Sequence, residues 1–294
     1  MQTIQTPSIG SVAYSWLNNC SLAEITGITS SGIFLRLTSR QIIFLTPANN
    51  PGPINLVVSS LPTSWQKQQP VQIKTRTSNV HFISNNEELS LTDFHVWHTP
   101  LPPVYRILAS EQNRRIFQSA AQILTLKRNA GFSDLITPLL KMEKNHIPAD
   151  PPMQKIWHNM IALMEAITQN DSNAFLQNAT PLIGMGRGLT PSGDDALSGL
   201  LFTLQRMNST TWLMDIGQQL VEIAFQRSPT VSACLMACAL IGETDPRIHT
   251  LFDSLINEDI PFQNQAIQLA RWGNSSGADT FLGILIALLP NLTN

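Results

Sequence analysis

The run Gly184-Met185-Gly186-Arg187-Gly188-Leu189-Thr190-Pro191-Ser192-Gly193-Asp194-Asp195 constrains this chain more than any other part of it. Four glycines fall within ten residues, and an apolar stretch over residues 194–205 follows directly. Glycine lets backbone come close to a ligand and adopt positive φ, and the N–H groups at a helix start form a natural anion site. The run therefore reads as an anion-binding turn that leads into a buried helix. Gly188 and Gly193 have the spacing of a phosphate loop. Asp194 and Asp195 stand where that loop would carry Lys-Ser/Thr, which excludes a nucleoside-triphosphate loop. Leu189 in place of a third glycine excludes a dinucleotide fingerprint.

The same pattern recurs. Residues 192–199 and 276–283 both read S-G-x-D-x-x-x-G, and both continue into an apolar helix. The Ser192/Asp195 and Ser276/Asp279 pairs fit a capping box. Capping does not account for Gly199 and Gly283, which lie inside helices where glycine costs about 1 kcal/mol relative to alanine. Close approach of two backbones would compensate. The expectation is that the two helices cross near Gly199 and Gly283, with their starts around one pocket.

Candidate binding residues are Gly186, Arg187, Gly188, Thr190, Ser192 and Gly193 from the first copy, and Asn274, Ser275, Ser276 and Gly277 from the second. Arg187 could fork onto a carboxylate or phosphate. Asp194, Asp195 and Asp279 are the candidate catalytic groups. Carboxylates beside an anion site have two explanations. They accept hydrogen bonds from the N–H groups of an amide-like substrate, or Asp194 and Asp195 hold a divalent cation such as Mg2+ that bridges to the anion. A third segment, Ser228-Pro229-Thr230-Val231-Ser232, opens an Ala- and Cys-rich helix. It reads either as a polar cap cluster or, through Thr230 and Ser232, as a third wall of the pocket.

The 294 residues suit two domains. Short β-branched and aromatic runs at residues 32–37, 41–45, 54–58, 71–75 and 80–83 predict strands. The breaker cluster Thr99-Pro100-Leu101-Pro102-Pro103 follows them. Apolar residues at three- and four-residue spacing predict helices over 112–127, 153–169, 212–226 and 262–272. Residues 194–205 and 279–289 are apolar nearly all round, as central helices are. The expected fold is α+β: a small antiparallel β domain over 1–104, then a mainly α-helical domain over 105–294 with two buried glycine-containing helices.

A net charge of -2 offers no footprint for nucleic acid or anionic lipid, so an anion must be held by local geometry. The longest strongly apolar run, residues 281–289, is too short to span a bilayer. The first seventeen residues do not read as a signal peptide. Three cysteines, Cys20, Cys234 and Cys238, form no disulfide framework. Together these make a cytoplasmic protein the expectation. Cys234 and Cys238 read as buried small hydrophobes, and His95 and His98 as structural or interfacial.

The segments 186–195 and 273–279 resemble the two signature segments of the AllH-type family, a subunit of oxamate carbamoyltransferase in anaerobic allantoin breakdown. Residues 230–232 resemble its middle hydroxyl-rich segment. The similarity is specific over roughly the last hundred residues, and Asn274 stands where some relatives have His. The resemblance implies a carbamoyl transfer in which oxalurate and phosphate give oxamate and carbamoyl phosphate. It implies partner subunits, including one resembling an acyl-CoA synthetase. It also implies a pocket that holds phosphate and oxamate through glycine-loop amides and Arg187, with Asp194, Asp195 or Asp279 facing ureido N–H groups. Two other readings remain. One is a non-catalytic subunit that senses a small anion or acts as a scaffold in an enzyme complex. The other is a metal-dependent hydrolase of a ureido or amide bond.

Overall fold

The computed structural model describes residues 7–76, 79–126, 131–143, 146, 148–208 and 210–291. The chain divides into two compact units, residues 1–100 and 101–294, and its class is α+β.

The first unit is one nine-stranded sheet. Its strands are β1 (Ser8–Gly10), β2 (Leu22–Thr29), β3 (Gly32–Leu37), β4 (Ile42–Thr46), β5 (Asn55–Val57), β6 (Pro70–Arg76), β7 (Asn79–Ser84), β8 (Glu87–Thr92) and β9 (His95–Trp97), in the order β8-β7-β6-β2-β3-β4-β5-β1-β9. Alternating burial along β6 and β7 puts Val71, Ile73, Val80 and Phe82 inside, as period-two strands require. The helix α1 (Ser11–Leu17) adds Ala13 and Leu17 to the same core.

The sheet is mostly antiparallel, as expected. Two pairs are parallel, β4 with β5 and β1 with β9. Four strands carried no clear signal. β1 and β9 are three-residue pieces, β8 opens on two glutamates, and β2 is broken by a bulge between Ile25 and Gly27.

The second unit is helical. Its α-helices are α2 (Ala109–Leu126), α3 (Ile136–Leu140), α4 (Pro151–Gln169), α5 (Ser172–Ala179), α6 (Ser192–Met207), α7 (Leu213–Arg227), α8 (Thr230–Leu240), α9 (Pro246–Ile256), α10 (Gln263–Ala270) and α11 (Ser276–Leu288). The helix expected over 112–127 is α2; Lys127 itself lies outside the described residues. Asp150, Asp171 and Asp245 cap α4, α5 and α9 by accepting backbone N–H bonds, the usual way to satisfy a helix start. Cys234 and Cys238 are buried on α8 and form no disulfide. Among the described residues no helix is long and apolar enough to cross a membrane.

The two central helices are α6 and α11. α7 and α8 pack on α6, while α4, α9 and α10 pack on α11. Nearly all of α11 is buried, including Phe281, Ile284 and Leu285. The two helices cross at their glycines. A Cβ at Gly199 would overlap the Thr280 carbonyl oxygen, and a Cβ at Gly283 would overlap the Ala196 carbonyl oxygen. Ala196 and Thr280 occupy equivalent places in the two copies of the repeat. The crossing is thus two-fold symmetric in its contacts, and the helix-interior glycines are there because backbone meets backbone.

Candidate functional site

Both copies of the repeat are built by one backbone circuit. In the first, Met185 N–H donates to Leu182 O (3.1 Å) and Gly193 N–H donates to Met185 O (2.8 Å). In the second, Trp272 N–H donates to Leu269 O (2.9 Å) and Gly277 N–H donates to Trp272 O (3.2 Å). The glycines after those acceptors, Gly186 and Gly273, both have positive φ, at 124° and 63°. A Cβ at Gly193 or Gly277 would overlap the carbonyl oxygen of Leu182 or Leu269. The glycine of each S-G-x-D motif is therefore the point where a helix start rests on the turn before it. The first turn is three residues longer than the second. It also holds Gly188 (φ 95°), around which there is open space.

Neither motif is a capping box. The N-cap positions are Pro191 and Ser275, and neither α6 nor α11 has a side-chain cap; α8, behind Pro229, has none either. Ser192 and Ser276 are the first helical residues instead. Gly193 N–H and Gly277 N–H are taken by the Met185 and Trp272 carbonyls, and no side chain caps the other first-turn N–H groups of α6 and α11.

The two starts line one cavity of about 670 Å³, within the usual range for a small-molecule site. Residues 186–190 and Ser192 form one side, residues 274–276 the other, and Gly131 and Phe132 close it. Thr190 Oγ1 and Ser276 Oγ lie 3.1 Å apart and join the two sides. Gly186, Arg187, Gly188, Thr190, Ser192, Asn274, Ser275 and Ser276 all line this space, and Gly193 and Gly277 lie buried behind it. Thr230 and Ser232 do not line it.

Asp194, Asp195 and Asp279 lie behind the wall and do not line the cavity. Asp194 ties three elements together: Gly184 N–H donates to its Oδ1 (2.7 Å) and Ser232 Oγ to its Oδ2 (2.8 Å). Burial pushes its carboxyl up, opposed by the Gly184 N–H and by the hydroxyls of Ser228 and Ser232. Ser232 thus reaches the site only through Asp194.

Asp195 is pushed up much further by burial. The Ser276 and Thr190 hydroxyls pull it back, while the nearby Asp279 and Asp194 add to the rise. Asp279 is fully buried, and Phe132 N–H donates to its Oδ1 (2.7 Å). Burial raises it to about 6 against the Phe132 N–H and the Ser192 and Ser275 hydroxyls. Among the described residues, Asp195 Oδ2 and Asp279 Oδ2 are buried without a hydrogen-bond partner. No group of three His, Cys, Asp or Glu side chains among them is placed to hold a metal ion.

A stability prediction follows from Asp279. Its folded pKa of about 6 exceeds the ordinary 3.8, so the folded state holds this proton more tightly. Between about pH 4 and 6 the unfolded chain has released the proton and the folded chain has not. Stability therefore falls as pH rises through that window, by roughly 3 kcal/mol at most, and the loss persists above it. Asp279→Asn is expected to flatten that part of the urea-midpoint profile; equal slopes in both proteins would refute the assignment.

Gly131 and Phe132 are site residues that sequence reasoning missed. Gly131 has φ 73°, and a Cβ there would press on the Asp279 carboxyl. The only sequence sign was a lone glycine more than fifty residues before the motif. Leu189, set aside as a missing glycine, also lines the cavity and is exposed.

Residues 182–288 match the family model described as oxamate carbamoyltransferase subunit AllH. That segment contains both turns, α6, α8 and α11, but not Gly131 or Phe132. No curated protein and no solved structure matches the chain.

Proposed function

We propose that this chain is a cytoplasmic subunit of an oxamate carbamoyltransferase and that the cavity at the starts of α6 and α11 binds its anionic reactants. The observation that carries this reading is the position of the cavity. It is walled by two helix starts without side-chain caps and by Arg187, and most of its wall lies within the segment that matches the family model. Uncapped N–H groups and the helix dipole favour anions, and phosphate, oxamate and oxalurate are all anions.

In the catabolic direction a phosphate oxygen attacks the carbamoyl carbon of oxalurate. The bond from that carbon to the oxamate nitrogen breaks, and the proton carried by phosphate ends on the nitrogen. Carbamoyl phosphate and oxamate leave. Holding both reactants in contact supplies much of the rate, and N–H donors aimed at the carbonyl oxygen stabilise the charge that develops there. No covalent nucleophile on the protein is needed. The three aspartates are positioning residues in this scheme: Asp194 holds the first turn to α6 and α8, and Asp279 holds residues 131–132 to α11. Partner subunits, one resembling an acyl-CoA synthetase, complete the enzyme. If a divalent cation such as Mg2+ takes part, it is bound with the substrate.

The test is release of oxamate from oxalurate by the chain with its partner subunits, with and without phosphate. Turnover that requires phosphate is expected. Oxalurate breakdown that proceeds equally well without phosphate would replace this reading with a hydrolase. Binding without turnover in any mixture would replace it with an anion-sensing subunit.

A further inference from the structure

Where the two sides of the cavity meet, the wall is made of side-chain hydroxyls. Thr190, from the first turn, and Ser276, from the start of α11, both line the cavity, and their oxygens lie 3.1 Å apart. Both hydroxyls also bond to the carboxyl of Asp195, which is buried and does not line the cavity. One hydroxyl from each copy of the repeat thus shares a single buried acid.

We propose that Thr190 and Ser276 form a hydrogen-bond acceptor pair that selects a ligand carrying an amide or ureido N–H, and that Asp195 is the positioning residue that turns both hydroxyl protons away from the cavity. This deepens the carbamoyltransferase reading and rests on it for the choice of oxamate as the ligand.

The polarity of the pair follows from the number of protons. A hydroxyl has one proton to donate and two lone pairs to offer. If Asp195 is ionised, both hydroxyls donate to it, directly or one through the other. If it keeps its proton, as burial favours, the three groups close a ring. The acid donates to one hydroxyl, that hydroxyl donates to the other, and the second donates back to the acid. Neither state leaves a proton over for the cavity. In both, each hydroxyl oxygen keeps at least one lone pair for a ligand, so the polarity does not depend on the charge of Asp195.

The buried carboxyl holds these protons firmly. Among the described residues its Oδ2 already lacks a hydrogen-bond partner. Turning a hydroxyl proton outward would strip the same acid of a further bond, which buried polar groups resist. Elsewhere on the wall the polarity is reversed, because Arg187 can only donate. The cavity therefore suits a small ligand with two unlike ends, a negative group for the donors and an N–H for the hydroxyl pair. A ligand without an N–H leaves that pair unsatisfied.

Oxamate and pyruvate separate the two ends, because pyruvate keeps the charge and outline of oxamate and carries a methyl group in place of the amide nitrogen. The experiment is calorimetric titration of the full chain with each. Oxamate is expected to bind more tightly than pyruvate by about tenfold or more. Ser276→Ala and Thr190→Val should each cut that preference by about threefold or more, by weakening oxamate while pyruvate changes little. Asp195→Asn brings amide protons of its own to the hydroxyls and frees theirs for the cavity, so it should cut the preference as well. A merely structural Asp195 would shift both Kd values together and leave their ratio alone. Equal binding of oxamate and pyruvate would overturn the proposal and leave the anion-binding cavity standing, whereas a preference that survives all three substitutions would place the N–H elsewhere and overturn it too. Loss of phosphate-dependent turnover with the oxamate preference intact would overturn the carbamoyltransferase reading and uphold the acceptor pair. No binding of either ligand would overturn both.

Discussion

Gly283→Ala is expected to lower the stability of the helical unit by about 2–3 kcal/mol, although alanine inside a helix normally gains about 1 kcal/mol over glycine. The sign reverses because the new methyl group has nowhere to go. It would overlap the Ala196 carbonyl oxygen and crowd Leu200 N. Both are backbone atoms, so no side chain can rotate away, and the two central helices must part. Gly199→Ala meets the Thr280 carbonyl from the other side and should cost a similar amount. One separation of α6 from α11 accommodates both methyls, so the double variant should lose less than the sum, with a coupling on the order of 1 kcal/mol. Urea unfolding followed by helix signal measures all three. A neutral or stabilising Gly283→Ala would mean that the two backbones do not touch there.

The second large effect is on chemistry. Gly193→Val should reduce phosphate-dependent oxamate release roughly 100-fold, the scale expected when a reacting group is displaced by about 1 Å. A Cβ at Gly193 overlaps the Leu182 carbonyl oxygen, and that carbonyl anchors the first turn through Met185 N–H. Valine pushes the start of α6 off the turn carrying Arg187 and moves one side of the cavity against the other. The body of α6 remains packed between α7, α8 and α11, so the helix signal should change little. Ser198→Ala, further along the same helix and away from the cavity, is the control and should keep full turnover. Turnover of Gly193→Val close to that of the unsubstituted chain would remove the start of α6 from the chemistry.

Much of the site could be read along the chain because its parts are local. A glycine turn, a helix start and a first-turn hydroxyl lie within ten residues of one another in each copy, and repetition of S-G-x-D-x-x-x-G linked the copies. The helix-interior glycines were informative for a thermodynamic reason: a residue that costs stability locally signals a tertiary contact that repays it. The helical periodicity of α2, α4, α7 and α10 was legible in the same way. In the first unit, β3, β4, β6 and β7 follow β-branched and aromatic runs. The parallel pairings of β4 with β5 and β1 with β9 depend on which strands meet, and no local pattern encodes that.

The aspartates mark the boundary most clearly. Their number, their spacing and their place in the first turn of a helix are properties of the sequence, which therefore determined that acids would stand at the two glycine-rich helix starts. Whether those acids line the cavity or lie behind its wall was decided by the tertiary structure alone. The direction of a side chain at a helix start depends on what packs around it: Gly184 and Ser232 enclose Asp194, and Phe132, brought in from a distant part of the chain, takes an oxygen of Asp279. Enclosure sets their charge as well, because a carboxyl's proton affinity follows from the water and partners that remain around it, and these are fixed only once the elements have packed.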